Sequence, residues 1–471
     1  MTETSPPAPR TYGEADRLAR GAGVTFLGHA AGRALGFVLT LVLTRWLGAS
    51  DFGSFILALT IFQCAGLLAD LGLRYGALRF VAMAEGREDH REVRRIVATV
   101  IRYSLVASLG GMVVLGAASP LLADWFRQPV YRWLIPVIAL ALPFSTVGAV
   151  VKSILQALRR LTAVALLQHV LDPLVRIGVF VALAGLGWGI AAAVASHLAA
   201  VVVVFGAALA WLLPHVPPGW GGRARVREKE ILAFSVPLSL AHAAALAMQW
   251  ADSLFLGYFT TSRDVGIYGA ASRMAALGGM TLFAASMSFG PYANELYGRD
   301  DLAGLRRLYQ QVTRWLIMVT LPILVLIVTY APWLLHLFGA EFLAGGPVLL
   351  ILACATFVTV ATGPAGDVAL IAGRSNTLLL AGALLTVFDI GMLWLLVPRW
   401  GVVGAAIATG ATTAVSNVTN VLLGWWFLAL QPYSPTLMRP VVIGGCAALL
   451  TALNTPGSAR MTASTPASAS S

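Results

Sequence analysis

The chain has 471 residues, 58% of them hydrophobic and only 11% charged, with a mean hydropathy of +0.80. A soluble domain carries about 25% charge, so this composition excludes an ordinary soluble protein and leaves no room for a large soluble domain. The formal charge of +11 does not call for a nucleic-acid partner, because basic cytoplasmic loops account for it in a membrane protein.

Residues 1–21 are polar and Pro-rich, read as a cytoplasmic tail without a visible cleavable signal peptide. Twelve stretches then meet the length of about 20 apolar residues that a membrane-crossing helix needs. They are roughly 22–47, 52–73, 96–119, 131–151, 162–184, 188–213, 231–257, 265–291, 308–330, 345–370, 377–398 and 402–429. The segment His215 to Gly222, rich in Pro and Gly, and the basic run Arg223 to Lys229 separate two sets of six. This predicts a first bundle over 22–213, a cytoplasmic linker over 214–230 and a second bundle over 231–429. In the remaining 430–471, Val441 to Leu453 is apolar but too short to span unaided, and the Ser/Thr/Ala-rich end is expected to be disordered. Cys64, Cys354 and Cys446 lie in apolar stretches and read as core residues, without metal-site or disulfide spacing.

Basic residues sort by side. Loops sharing a side with the N-terminus hold 20 Lys and Arg, from Arg10 through Arg374. The opposite loops hold 5, namely Arg45, Arg127, Arg132, Arg263 and Arg399. The asymmetry predicts a cytoplasmic N-terminus and a cytoplasmic linker, with both halves starting on the same side.

The two halves repeat a pattern. Leu47-Gly48, then Asp51-Phe52-Gly53 and Phe55, return about 210 residues later as Leu256-Gly257, then Asp264-Val265-Gly266 and Tyr268. Each copy is a helix ending in Leu-Gly, a turn, and Asp-x-Gly-x-aromatic opening the next helix. Gly187 to Ala193 is matched in the same way with Val402 to Ala408. Duplicated helical halves are typical of transporters whose two parts rock about a central site.

Charge inside a span is costly, about 2.5 kcal/mol or more on insertion scales, and so marks candidate functional residues. The first span puts His29, Arg33, Thr40 and Thr44 on one face, beside a small-residue edge of Gly28, Gly32 and Gly36 that admits a close helix. The seventh carries Ser235, Ser239, His242, Gln249, Asp252 and Ser253 on one face, with Arg33 aligned to His242. The paired stripes suggest a shared polar cavity. The other reading is helices joined by hydrogen bonds. Asp252 and Arg273 either pair as a structural bridge or serve a substrate. Asp172 and Arg176, on a face with His169 and beside Pro173, have the spacing of an intrahelical ion pair. Asp389 lies near the equivalent place in the eleventh span. Gly363, Pro364, Gly366 and Asp367 predict a kink in the tenth. The candidate substrate contacts are therefore His29, Arg33, His242, Gln249 and Arg273. The candidate coupling or gating residues are Asp172, Arg176, Asp252, Asp367 and Asp389. No phosphate-binding loop, His-Glu-x-x-His or Cys-x-x-Cys occurs. Gly185-Leu186-Gly187-Trp188-Gly189 reads as a tight turn between membrane helices, not a dinucleotide loop.

The elements just quoted, together with Asp70-Leu71-Gly72-Leu73, Pro237 and Gly404-Ala405-Ala406, resemble the Wzx-type oligosaccharide flippases of the multidrug/oligosaccharidyl-lipid/polysaccharide exporter superfamily. The resemblance covers about residues 20 to 430. It implies an all-α, MATE-like transporter of two parallel six-helix bundles, acting by alternating access and not as an enzyme. The implied substrate is an undecaprenyl-diphosphate-linked oligosaccharide, moved to the outer leaflet of the bacterial cytoplasmic membrane for cell-surface polysaccharide biosynthesis. It further implies a cationic cavity for the lipid diphosphate, a theme that Arg33 and Arg273 match by position and charge. No cofactor is implied beyond coupling to H⁺, Na⁺ or the membrane potential. Membrane lipids, a polysaccharide polymerase and glycosyltransferases are the implied partners of a monomer. The chain departs from related 14-helix proteins in stopping at twelve spans and a stub. A cation-coupled multidrug extruder of the same fold is the first competing reading. A membrane glycan ligase or polymerase is the second, disfavoured by the short outer loops near 120–130 and 331–344.

Overall fold

The computed structural model describes residues 12–215, 228–373 and 375–433, with side chains from Gly28 onward except at 240–247 and 375–376. No strand occurs among the described residues. Helix α1 is Tyr12–Asp70, broken at Gly48, whose φ of 70° and ψ of −179° suit glycine alone. It therefore holds the first two predicted spans. The restart after the break is capped from afar: the Ala49 N–H donates to Glu341 Oε2 at 3.0 Å. Arg45 Nε donates to the Leu337 carbonyl at 2.6 Å beside it.

Helices α2 (Leu73–Glu85) and α3 (His90–Ala117) follow. Asp89 caps α3 by accepting from the Glu92 N–H at 3.0 Å. Then come α4 (Ser119–Trp125), α5 (Tyr131–Ala139), α6 (Leu142–Ala157) and α7 (Leu161–Leu166). A π-helical turn, Leu167–Leu171, joins α7 to α8 (Asp172–Ala184), and α9 is Ile190–Leu212. The second half contains α10 (Glu228–Phe259), α11 (Ser262–Gly278), α12 (Met280–Gly298), α13 (Leu302–Thr329) and α14 (Ala331–Phe338). It closes with α15 (Gly346–Ala361), α16 (Ala365–Ile371) and α17 (Ser375–Leu428).

All twelve predicted spans fall on these helices, and several long apolar stretches exceed the length a membrane requires. The chain is an all-α, multi-pass membrane protein. Large apolar side chains such as Val114, Leu326, Leu384, Val387 and Trp426 stay exposed, as lipid-facing residues do.

Helix α17 is broken at Gly401 (φ 54°, ψ −129°), and α9 opens on Gly189 with nearly the same backbone (φ 51°, ψ −130°). The structural match is thus Gly189 with Gly401, a spacing of 212 residues. That agrees with the 213 separating Asp51 from Asp264. The second sequence pairing, Gly187 with Val402, is corrected by three residues. The Ala-rich run slides without penalty in sequence, whereas the left-handed glycine fixes the register.

Two compact units are delimited by internal contacts. One comprises Met1–Arg273, Leu335–Gly345 and Gly382–Ala408. The other comprises Met274–Leu334, Gly346–Ala381 and Thr409–Ser471. The core of the first unit joins Leu73, Ile96, Val150, Ile154, Ala208 and Ile231, from α2, α3, α6, α9 and α10.

Within the first unit the duplicated Asp-x-Gly motifs cross each other. A Cβ on Gly53 would lie 1.7 Å from the Ser262 carbonyl oxygen and 2.7 Å from the Gly266 nitrogen. A Cβ on Gly266 would lie 2.1 Å from the Ala49 oxygen and 3.1 Å from the Gly53 nitrogen. Each blocking carbonyl sits four residues before the opposing glycine, so the contact has twofold symmetry. The glycines exist for this backbone approach.

In the second unit, Phe289, Ala293, Tyr309, Val368 and Leu430 form a core. The predicted kink lies between α15 and α16, at Gly363 (φ 63°) and Pro364. A broken helix in a membrane must satisfy its freed backbone groups internally. Tyr309 Oη does so here, donating to the Thr362 carbonyl at 2.8 Å. Asn417 accepts from Thr362 Oγ1 at 3.0 Å and donates to Thr359 Oγ1 at 3.1 Å.

Candidate functional site

Pro173 has no N–H to offer the carbonyl of His169, four residues back, and its ring crowds that carbonyl. The helix responds by widening into the π-helical turn Leu167–Leu171. The turn presses His169 against α1. A Cβ on Gly32 would meet His169 Cβ at 2.8 Å, and one on Gly28 would touch Ala165 Cβ at 3.4 Å. Two of the three glycines in the predicted edge therefore admit a close helix. The third, Gly36, has nothing within 4 Å and lines a cavity instead. The His29 and His169 rings stack obliquely, 4.1 Å between centroids.

The cavity lies wholly in the first unit and measures about 280 Å³. Its polar lining comes from Thr40, Gln168, His169, Asp172, Arg176, Ser196 and Arg273. Asp172 and Arg176 form the predicted pair on their own helix: Arg176 Nη2 donates to Oδ1 at 3.1 Å and Nε lies 3.0 Å from Oδ2. That fork cancels one positive charge. Arg273 has no such pairing among the described residues. Its Nη1 is buried with no hydrogen-bond partner among them, and its guanidinium sits 5.4 Å from the Phe52 ring centroid, a cation–π distance. The cavity thus holds two guanidinium groups and one carboxylate.

No Asp252–Arg273 ion pair occurs among the described residues. Tyr268 Oη donates to Asp252 Oδ2 at 2.6 Å, in the protein interior. Tyr268 is the aromatic of the second Asp-x-Gly motif, and it reaches back sixteen residues to α10. Arg33 is exposed; its neighbours Gly32 and Gly36 line the cavity. Thr44 is buried and donates back to the Thr40 carbonyl at 2.9 Å. Ser235 is also buried, under Gly72 and Gly76, where a Gly72 Cβ would come 2.1 Å from its carbonyl oxygen. Gln249 is exposed on α10, and the His242 side chain lies outside the described residues. Asp389 is buried in α17 and does not line this cavity. Asp367 belongs to the second unit, at the start of α16, with Oδ2 buried and unbonded. Cys354, expected in the core, is exposed, and Cys64 is partly so. Among the described residues no cluster of three metal-ligating side chains occurs.

Sequence reasoning missed Gln168 and Ser196 as lining residues. For Gln168 the available signal was Pro173, five residues on. The chain matches the family described as "Polysaccharide biosynthesis protein" over residues 18–296. The chain belongs to that family. Residues 237–395 also match the MatE family. A relative, the probable low-salt glycan biosynthesis flippase Agl15 of Haloferax volcanii, is 24% identical over 416 residues, 86% of this chain and 82% of that protein. The teichuronic acid biosynthesis protein TuaB of Bacillus subtilis is 26% identical over 208 residues, 41% of this chain. The chain matches that relative over only 40% of its length. Among solved structures, the lipid II flippase MurJ in an inward closed conformation superposes with a TM-score of 0.70 at 11% identity, covering 91% of this chain and 97% of that one. At that identity the likeness establishes the fold, a MATE-like transporter architecture. This member of the polysaccharide biosynthesis family carries that fold with a net-positive cavity in its first unit.

Proposed function

We propose that the protein is a flippase that moves an undecaprenyl-diphosphate-linked oligosaccharide from the inner to the outer leaflet of a bacterial cytoplasmic membrane. The observation that carries this reading is Arg273, a half-buried guanidinium whose Nη1 is buried without a hydrogen-bond partner among the described residues, beside an Arg176 already neutralised by Asp172. A diphosphate supplies the missing acceptors. Arg recognises phosphate oxygens through its planar fork of donors, and the low-dielectric surroundings strengthen the contact. The basic bias of the loops favours a cytoplasmic N-terminus, so the cavity loads from the leaflet where lipid-linked glycans are assembled. The Gly53–Gly266 crossing then closes the opposite end. Alternating access is the opening of this crossing and closure at the other end, coupled to an ion gradient or the membrane potential. Glycosyltransferases would supply the substrate and a polymerase would receive it.

Native mass spectrometry of the purified protein tests the charge preference. Undecaprenyl diphosphate should bind at least tenfold more tightly than undecaprenyl monophosphate. A lipophilic organic cation such as tetraphenylphosphonium should not compete. Tight cation binding with no diphosphate preference would instead favour a multidrug extruder.

A further inference from the structure

A second cavity, about 260 Å³, lies behind the Asp172–Arg176 pair, between α1, α6, α8 and α9. It shares Leu59, Asp172 and Arg176 with the first cavity. Its other polar lining is Lys152, His197, Gln63 and Ser145, against the apolar Phe62, Val204 and Phe205. Lys152 belongs to α6, which continues past the span expected to end at 151, so its charge sits on a helix and not in a loop. Among the described residues it makes no hydrogen bond or ion pair. The one carboxylate lining the cavity, Asp172, has both oxygens engaged by Arg176. His197 is 5% exposed, and neither ring nitrogen has a hydrogen-bond partner among the described residues. Its ring stands edge-on to Phe62 at 5.2 Å, which holds its orientation.

An ammonium taken out of water is expensive unless an opposite charge meets it. A buried imidazole with both nitrogens idle has the same need on a smaller scale. Every spare polar group here is cationic or can donate: the Lys152 ammonium, an imidazole N–H, the Gln63 amide and the Ser145 hydroxyl. No uncommitted carboxylate lines the cavity.

We propose that this cavity binds a small inorganic anion, with chloride as the ligand, held between the Lys152 ammonium and the His197 N–H. The anion neutralises the charge left over once Asp172 is paired with Arg176, and it sits behind the Arg176 side of the substrate cavity. The site is therefore a second ligand position, distinct from that of the lipid diphosphate. It does not depend on what the first cavity carries.

The test uses the purified full-length protein in a neutral detergent, with no lipid-linked glycan present. Thermal unfolding is followed while potassium chloride replaces potassium gluconate at constant ionic strength, with potassium phosphate as a parallel titration. The proposal expects a saturable rise in midpoint temperature with chloride. Lys152→Met and His197→Phe should each weaken the half-saturating concentration at least tenfold, while Lys152→Arg keeps the response. If a variant fails to fold, the wild-type titration and the remaining variant still decide. No saturable response to chloride in the wild type overturns the proposal. So does a response to phosphate alone, or an unchanged response in Lys152→Met.

Discussion

Gly53→Leu removes transport and lowers the thermal midpoint of the protein. The side chain has nowhere to go, because even its Cβ would sit 1.7 Å from a backbone oxygen of Ser262. Overpacking that side chains can absorb costs about 1–3 kcal/mol. Here the obstacle is backbone on both sides, so the loss is expected at or above the top of that range. Gly266→Leu should behave alike, because its Cβ meets the Ala49 carbonyl at 2.1 Å. Gly110→Leu is the control, a helix glycine whose Cβ would have nothing within 4 Å. Unfolding midpoints and reconstituted transport check all three. If Gly53→Leu folds and transports like Gly110→Leu, the crossing has no part in the cycle.

Arg273→Met should separate stability from function. A buried donor without a partner costs about 1–3 kcal/mol, and methionine fills similar space beside Phe52 without that cost. The variant should therefore be as stable as the wild type or more so, with its midpoint unchanged or raised. Its transport should fall by about 100-fold, on the order of 2–3 kcal/mol for lost charge-assisted bonds. Arg273→Lys should recover only part of the rate, because an ammonium lacks the flat fork that stacks on a ring and grips two oxygens. Loss of both stability and transport in Arg273→Met would mean a structural role. Retained transport would mean that Arg273 touches no substrate.

The outline of the fold was open to reading in the sequence because bilayer physics is written in long apolar runs. The twelve predicted stretches fall on helices, and Gly53 and Gly266 stood out as a repeat before any reason for them was visible. The intrahelical Asp172–Arg176 pair followed from spacing alone. Periodicity gives the face of a helix but not what covers that face. Arg33 shares a face with His29 and Thr40 in sequence, yet it is exposed while Thr40 lines the cavity. Ser235 looked like a cavity residue and proved to be packing under two glycines. Asp252 found its partner in Tyr268, across a turn whose geometry no spacing rule encodes. Lys152 was lost to a boundary error: it falls one residue past the span expected to end at 151, yet it sits on a helix whose end lies at Ala157. The π-helical turn was signalled only by Pro173, and a proline in a membrane helix has several possible consequences.

The most direct measurement is leaflet exchange itself. The purified protein is reconstituted into vesicles carrying a fluorescent undecaprenyl-diphosphate oligosaccharide, and an impermeant quencher reports how much label crosses with time. Protein-dependent crossing is expected, lost in Arg273→Met and Gly53→Leu, with the monophosphate-linked analogue crossing at the protein-free rate. Equal rates in vesicles with and without the protein, under an imposed ion gradient and membrane potential, would contradict it.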